Sequence, residues 1–513
     1  MSLLTLTISS VVASFALYYA HRRSLYFLDH LQFYALLWCV WLAHIAGSLF
    51  YSIILWPKYF SPLRHLPEPA EGRSWWNGFG SRAFFGAKGE PVAQWNRSLR
   101  HNGIFRYLDV LNTERVAITS PELVAEVLQR TQDFEQSRTL FLLAAPILGP
   151  GIILVNGEEH KRQRKILSPC LSTKEIRLLQ PLSWEKSVEL LQKITELVAN
   201  TASASGFSEP ISVDHHAGHV TLDSISKAAL GMDFEPLKKP DSELVHNYRG
   251  VFEPTTVFRL LAVAKIVFPS WLVESLPHPR VREAKRAIAL LHNVCRTSAQ
   301  QKKALMAKNQ LTSPDIISSL IRDRGVTDED ELITNSMPLL NAFVSESLRY
   351  WPPVGQIGRQ TARDTMLKDV MIPKGITLHL SIRSFNHDPV NWGPDAREFK
   401  PERWLRRDEA TGELAYVPNG GALTKQALMT FIHGGRDCIG RVFARSEILH
   451  VLAGLVGRFE FVLTDLSYMD ETKIQVSGGG CVQAHSQHQC TRTTRTGVVR
   501  ATWLHAERTA LSA

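Results

Sequence analysis

The chain has 513 residues, 44% apolar and 21% charged. That composition excludes a disordered or fibrous chain, and the length can bury a core without covalent staples. Its 58 basic residues exceed 49 acidic ones by a scattered +9, which argues against nucleic acid as a partner and for a basic face turned to an acidic membrane or protein.

Two apolar runs open the chain. Leu3–Ala20 and Leu31–Trp56 carry no formal charge, and about 20 apolar residues cross a bilayer. The first run lacks the basic flank of a cleaved signal peptide. Arg22 and Arg23 lie between the runs, and Lys58 and Arg64 follow the second. Both flanks favour the cytosol, so either run could span while the other lies in the interface. Residues 1–56 are therefore expected as a membrane-anchor region in contact with lipid. Pro57, Pro62, Pro67 and Pro69 make 57–70 a stiff, non-helical connector.

Alternating residues over Ile104–Ser120 predict a hairpin turning near Asn112-Thr113. A helix follows from Pro121 to Arg130, with Ser120 as N-cap. Phe141–Val155, with Gly149, Pro150 and Gly151, reads as an irregular buried loop whose Phe141, Leu143 and Ile147 are pocket candidates. Gly157–Leu167 begins a basic helix. Thr173–Asn200 and Val281–Lys308 read as long amphipathic helices. Phe252–Leu276 could line a pocket or touch lipid. Ser336–Tyr350 reads as a helix, Gln356–Leu380 as short strands, and Cys438–Phe459 as a further helix. The whole predicts a mainly α chain with a small β part.

Six cysteines (Cys39, Cys170, Cys295, Cys438, Cys481, Cys490) form no CxxC pair, which fits a reducing compartment. One stands in an unusual setting, Phe431-Ile-His-Gly-Gly-Arg-Asp-Cys438-Ile-Gly440. Glycines permit a tight loop whose amides could face one sulfur. Arg436 and the start of the following helix would both favour a thiolate. Such a loop suits an anionic metal ligand.

This Phe-x-x-Gly-x-Arg-x-Cys-x-Gly pattern resembles the haem-binding signature of the cytochromes P450. Three further stretches agree in order. Glu346-Ser-Leu-Arg349 resembles the family's Glu-x-x-Arg helix, Phe399–Trp404 its Pro-Glu-Arg-Trp segment, and Gly157–Arg164 its haem-contacting helix. The resemblance runs from about Tyr59 to about Leu466 and implies the P450 fold for a haem domain over 71–466. It implies haem b with Cys438 as the axial iron ligand, O2 as co-substrate, and electrons from NADPH through an NADPH–cytochrome P450 reductase. Phe431 belongs to the matched haem-binding segment, and His160, Arg164, Arg359 and Arg436 are the candidate haem-propionate contacts. Arginine suits that task because it pairs bidentately with carboxylates. Glu346, Arg349 and Arg403 would form a structural charge cluster, and Lys161, Arg162 and Lys165 a reductase-docking face.

The sequence also departs from the pattern. The family's long central helix carries an acid and a threonine that serve proton delivery. Here Thr327–Met337 reads as that helix's first half, and Pro338 already opens the Glu-x-x-Arg helix. The second half is expected to be absent, a loss of about fifty residues or about 75 Å of helix. Thr334, the nearest threonine, lacks the acidic company. Past Leu466 the closing strands give way to a polar stretch, so 467–513 is expected as an atypical, disordered tail.

The implied reaction is insertion of one oxygen atom from O2 into a small hydrophobic substrate. The Tyr59–Arg64 entry and His160 resemble filamentous fungal members, many of which act in secondary-metabolite pathways. The missing motif leaves two alternatives: a P450-fold isomerase or dehydratase that needs no O2, or a non-catalytic haem-binding relic. The expected location is the endoplasmic reticulum membrane, haem domain on the cytosolic side.

Overall fold

The computed structural model describes residues 12, 19, 30–80, 82, 89–201, 208–252, 260–261, 264–265, 268–276, 278–308, 310, 315–318, 337–409, 412–424, 426–463, 475–476, 484–485 and 498–503. Its first element, α1 (His30–Phe50), continues as wider helical turns over Tyr51–Phe60. Trp38–Phe60 is long and apolar enough to cross a membrane, and Pro57 is its one buried residue. Most of the first apolar run, all but Val12 and Tyr19, lies outside the described residues.

Pro57 was expected in a non-helical connector, but it sits inside this helical extension. The wide turn accommodates a ring that would strike the i−4 carbonyl of a regular α-helix. The connector proper begins at Ser61, whose hydroxyl accepts the Leu63 N–H at 3.1 Å, and turns once more over Pro62–His65.

The body alternates helices with one twisted sheet. In chain order come α2 (Glu90–Ser98), β1 (Ile104–Leu108), β2 (Glu114–Ile118), α3 (Pro121–Gln129), β3 (Phe134–Gln136), α4 (Arg138–Leu148), α5 (Gly157–Leu167) and α6 (Thr173–Thr201). Then follow β4 (Ile211–Ser212), α7 (Val213–Leu230), α8 (Glu243–Phe252), α9 (Ser270–Glu274), α10 (Pro279–Ala307) and α11 (Pro338–Tyr350). Strands β5 (Ile357–Thr361), β6 (Thr365–Leu367), β7 (Val370–Ile372) and β8 (Thr377–Leu380) lead through three short helical segments to β9 (Leu405–Arg407) and β10 (Leu414–Tyr416). Helix α12 (Arg441–Arg458) and β11 (Phe459–Leu463) complete the body, and a last long strand, β12, spans Val498–Trp503.

The five-stranded sheet runs β1-β2-β8-β5-β3, with β2 and β8 parallel and the other pairs antiparallel. Its buried face joins Val116, Ile118, Leu378 and Leu380 to Val124 and Val127 of α3. A second core lies between α6 and α12, where Gly454 would bring an added Cβ within 3.0 Å of Leu191. The missing side chain lets these helices approach closely.

Three expectations change. Ser120 occupies the N-cap of α3 but makes no capping bond with its side chain. Phe141–Val155 is not a loop throughout, because α4 reaches Leu148 and ends on Gly149 at φ +64°. The Leu- and Ala-rich run favours helix, and Gly149-Pro150 ends it without dissolving what precedes. Phe141 is exposed. Helix α12 begins at Arg441, leaving Cys438 in the preceding loop.

Residues 319–336, which include Thr334 and nearly all of Thr327–Met337, lie outside the described residues. Met337 is the N-cap of α11, and Pro338 takes its first turn, where a missing N–H costs nothing. Within the stretch expected as a disordered tail, β12 pairs antiparallel with β11 and β4. Its Val-Val-x-Ala-x-Trp pattern suits a strand.

Candidate functional site

Helix α5, β5, the stretch after α4 and the cysteine loop are among the elements that line one cavity of about 750 Å3. That volume is within the range of small-molecule sites. Cys438 lines it, together with His160, Arg164, Arg359 and Arg436.

The cysteine loop is tightly wound. The Cys438 N–H donates to Phe431 O at 2.8 Å, and the Asp437 N–H to Gly434 O at 3.1 Å. Gly434 has φ +81° and Ile432 φ +60°. For a β-branched residue the second value is strained, a feature concentrated at functional sites. These amides bond to carbonyls. Cys438 itself is exposed. Phe431 stands apart from the cavity lining. Its side chain packs against the cluster of Val344, Leu348 and Leu449, and its carbonyl anchors Cys438.

Helix α5 places His160 and Arg164 one turn apart, as the i,i+4 spacing requires. His160 is buried and held down to about 4, first by burial and then by the Arg436, Arg164 and Arg359 charges. Arg164 Nη1 donates to Asp437 O at 2.6 Å, and Nη2 to the Asp437 carboxylate. Arg359 is 4% exposed, and among the described residues its hydrogen-bond partners are neutral, Gln136 Oε1 at 2.7 Å and Gly358 O at 3.1 Å. Burial, then the Arg436 charge, lowers its pKa to about 10. Arg436 reaches Val155 O at 2.6 Å and Asn156 Oδ1 at 2.8 Å, and burial lowers it too, against the pull of Glu135.

Sequence reasoning missed Asn156 and Gln136. Asn156 Oδ1 accepts from both Arg436 and the Gln136 N–H, tying α5, β3 and the cysteine loop together. Asn156 had an N-cap signal in the sequence, but Gln136 had none. Of the pocket candidates, exposed Phe141 stays out of the lining, which takes Leu140, Ile152 and Ile153 from this region.

Arg359 and Arg436 are cations in a largely apolar cavity, and among the described residues no carboxylate is bonded to either. Buried charge of that kind is costly unless paired. The donor set thus fits a large apolar group bearing carboxylates, with Cys438 as a lone metal ligand. Among the described residues no three His, Cys, Asp or Glu side chains gather as a metal site, so the metal would come held by the group.

On the proximal flank, Glu346 and Arg349 are fully buried and doubly bonded at 2.7 Å. Arg403 Nε reaches Glu346 at 3.1 Å, Trp404 Nε1 at 2.9 Å and the Lys400 N–H at 2.7 Å. Burial alone would raise the Glu346 pKa, but these donors outweigh it and hold the carboxyl below its usual range. Nearer the surface, Lys161 pairs with Glu158 and Arg162 with Glu159. The basic face of α5 therefore carries less surplus charge than its basic residues imply.

Fold and site define a mainly helical protein with one cysteine, four arginines and two histidines around one cavity. The sequence model of the cytochrome P450 family matches residues 70–335 and 333–483, and the chain belongs to that family. It is 29% identical to the cytochrome P450 monooxygenase buaD of Petromyces alliaceus, over 84% of this chain and 87% of that one. It is 28% identical to ALT8 of Alternaria alternata, over 86% and 90%, and 28% identical to FUM15 of Gibberella moniliformis, over 85% and 89%. Membership places the chain among oxidoreductases whose family cofactor is thiolate-ligated haem.

Proposed function

We propose that this protein is a membrane-anchored haem-thiolate monooxygenase that inserts one oxygen atom from O2 into a small hydrophobic molecule in fungal secondary metabolism. Cys438 on a cavity with buried Arg359 and half-buried Arg436, neither bonded to a carboxylate among the described residues, carries the reading. Cys438 would hold the haem iron through its thiolate, and Arg359 and Arg436, beside neutral His160, would hold the haem carboxylates. Arg164 positions the loop through Asp437. Bound through a thiolate, haem supplies the activation of dioxygen, since the thiolate pushes electron density that favours O–O cleavage. Leu140, Ile152, Ile153 and Val354 keep the cavity apolar around the substrate. Electrons come from NADPH through a cytochrome P450 reductase docked on the basic proximal side, where Lys165 is exposed. The anchor sits in the endoplasmic reticulum membrane, haem domain facing the cytosol.

The same reading includes a truncated distal side. The family match divides at residues 333–335, and α11 begins at once with Pro338. The alignment with ALT8 spans 551 positions, more than this chain's 513 residues, so that relative carries segments lacking here. Without the acid and threonine of the central helix, proton delivery is slow and NADPH oxidation outruns product formation.

The full chain reconstituted with reductase tests this. A red-shifted ferrous–CO band that disappears in Cys438→Ser establishes the thiolate ligand, and product formed at a small fraction of the NADPH consumed establishes poor coupling. Turnover without NADPH would replace the reading with an isomerase or dehydratase. Haem without turnover of any kind would make the chain a binding relic.

A further inference from the structure

The cavity has a second polar end. Tyr107 of β1, Arg115 of β2, Thr377 and His379 of β8, and Asp109 after β1 all line it. Register brings them together, with Tyr107 opposite Arg115 and Arg115 beside Thr377. Arg115 and Arg359 lie on strands separated by β8, about 10 Å across the sheet. This end is therefore separate from the basic cluster beside Cys438.

Its hydrogen bonding is incomplete. Arg115 Nη1 donates to Thr377 Oγ1 at 2.6 Å, while its Nε contact to Asp109 Oδ2 is long, 3.3 Å. Tyr107 OH and His379 Nδ1 bond to each other. Burial, then the Asp109 charge, pushes the Tyr107 hydroxyl well up, against the pull of Arg115, so it stays protonated. Asp109 Oδ1 is buried with no partner. An unfilled buried acceptor costs more than a typical bond contributes.

The geometry points to a hydroxyl-recognition subsite, in which a substrate hydroxyl donates to Asp109 Oδ1 and accepts from Arg115. The neighbouring Arg115 and Asp109 cancel in charge. A carboxylate would meet Asp109 and an ammonium would meet Arg115, whereas a neutral group that both donates and accepts satisfies each. The rest of the lining is largely apolar and includes Val110, Leu111, Leu140 and Ile153. The substrate is thus an apolar skeleton with a hydroxyl at one end. Resting on the monooxygenase reading, the oxidised carbon lies on the apolar part, away from that hydroxyl.

Calorimetric titration of the detergent-solubilised full chain with decan-1-ol, decyl methyl ether and decanoate tests the subsite. The alcohol binds about tenfold or more tighter than the ether, and Asp109→Ala or Arg115→Met each abolishes the difference. Equal binding of alcohol and ether, or tighter binding of decanoate, overturns the assignment. The probe series on the unaltered protein decides even where a variant fails to fold. A preserved alcohol preference without a thiolate CO band would sink the monooxygenase reading and leave the subsite standing. The band without the preference would do the reverse.

Discussion

Arg164 holds Asp437 at two points, its backbone carbonyl at 2.6 Å and its carboxylate. The two residues are 273 positions apart, and Asp437 immediately precedes Cys438. The guanidinium, expected as a haem-propionate contact, lines the cavity and also fastens α5 to the loop that presents the thiol. This contact gives Arg164 a positioning role.

Arg164→Ala should therefore loosen the loop. Loss of a charge-assisted, two-point bond costs about 1–3 kcal/mol, read as a lower denaturant midpoint. Asp437→Ala should produce the same fall in haem retention, and the double variant little more. Unimpaired haem retention in Asp437→Ala would return Arg164 to the cofactor.

The cluster behind α11 predicts a larger effect. Glu346 is fully buried and accepts from Arg349, Arg403, Trp404 and the Lys400 N–H. Glu346→Gln leaves Arg349 as an uncompensated buried cation, which costs about 3–5 kcal/mol. Arg403→Ala removes one 3.1 Å bond to Glu346 and contacts to Asp395, a loss of about 1–2 kcal/mol. Chemical unfolding of the two variants should rank them in that order.

Local spacing explains what the sequence made legible. Glu346 with Arg349, and His160 with Arg164, are three and four residues apart, so helix geometry alone puts each pair on one face. The hairpin and the strands from Ile357 to Leu380 follow from alternation. The partners of those side chains were not legible. Asn386 O, Ala396 O and Glu398 O receive Arg349, and no periodicity encodes contacts about forty or fifty residues away. The pairing of Gln136 with Arg359 across β3 and β5 likewise depends on sheet order. In α4, terminating glycine and proline were read as a loop signal for the whole stretch, although they act only at its end. The β12 strand was obscured by its polar surroundings.

His387 supplies a pH dependence. It bonds Tyr350 O at 2.9 Å, and burial, then the Arg383 and Arg349 charges, lowers its pKa to about 3. The unfolded chain binds that proton near the ordinary value, about 6.5. Stability from this group is complete above about 6.5 and falls as pH drops towards 3, by on the order of 3 kcal/mol. Thermal unfolding between pH 7 and 4 should show the loss. His387→Gln, which keeps a donor for Tyr350 O, should flatten it. An unchanged slope in that variant would assign the dependence elsewhere.

Arg359 gives the opposite sign for stability and binding. Its guanidinium is 4% exposed, bonds to Gln136 Oε1 and Gly358 O, and faces the Arg436 charge. Replacing a buried charge that lacks a carboxylate with a shorter, neutral polar side chain relieves desolvation and like-charge repulsion. Arg359→Gln should therefore raise the haem-free chain's melting temperature, by roughly 1 kcal/mol in stability. The same change removes a donor for an anionic cofactor, so haem occupancy of purified protein should fall by tenfold or more, a bond to a charged group being worth about 1.5–3 kcal/mol. A variant that loses stability and keeps its haem would show that Arg359 is fastening β5 to β3 through Gln136 and has no part in holding the cofactor.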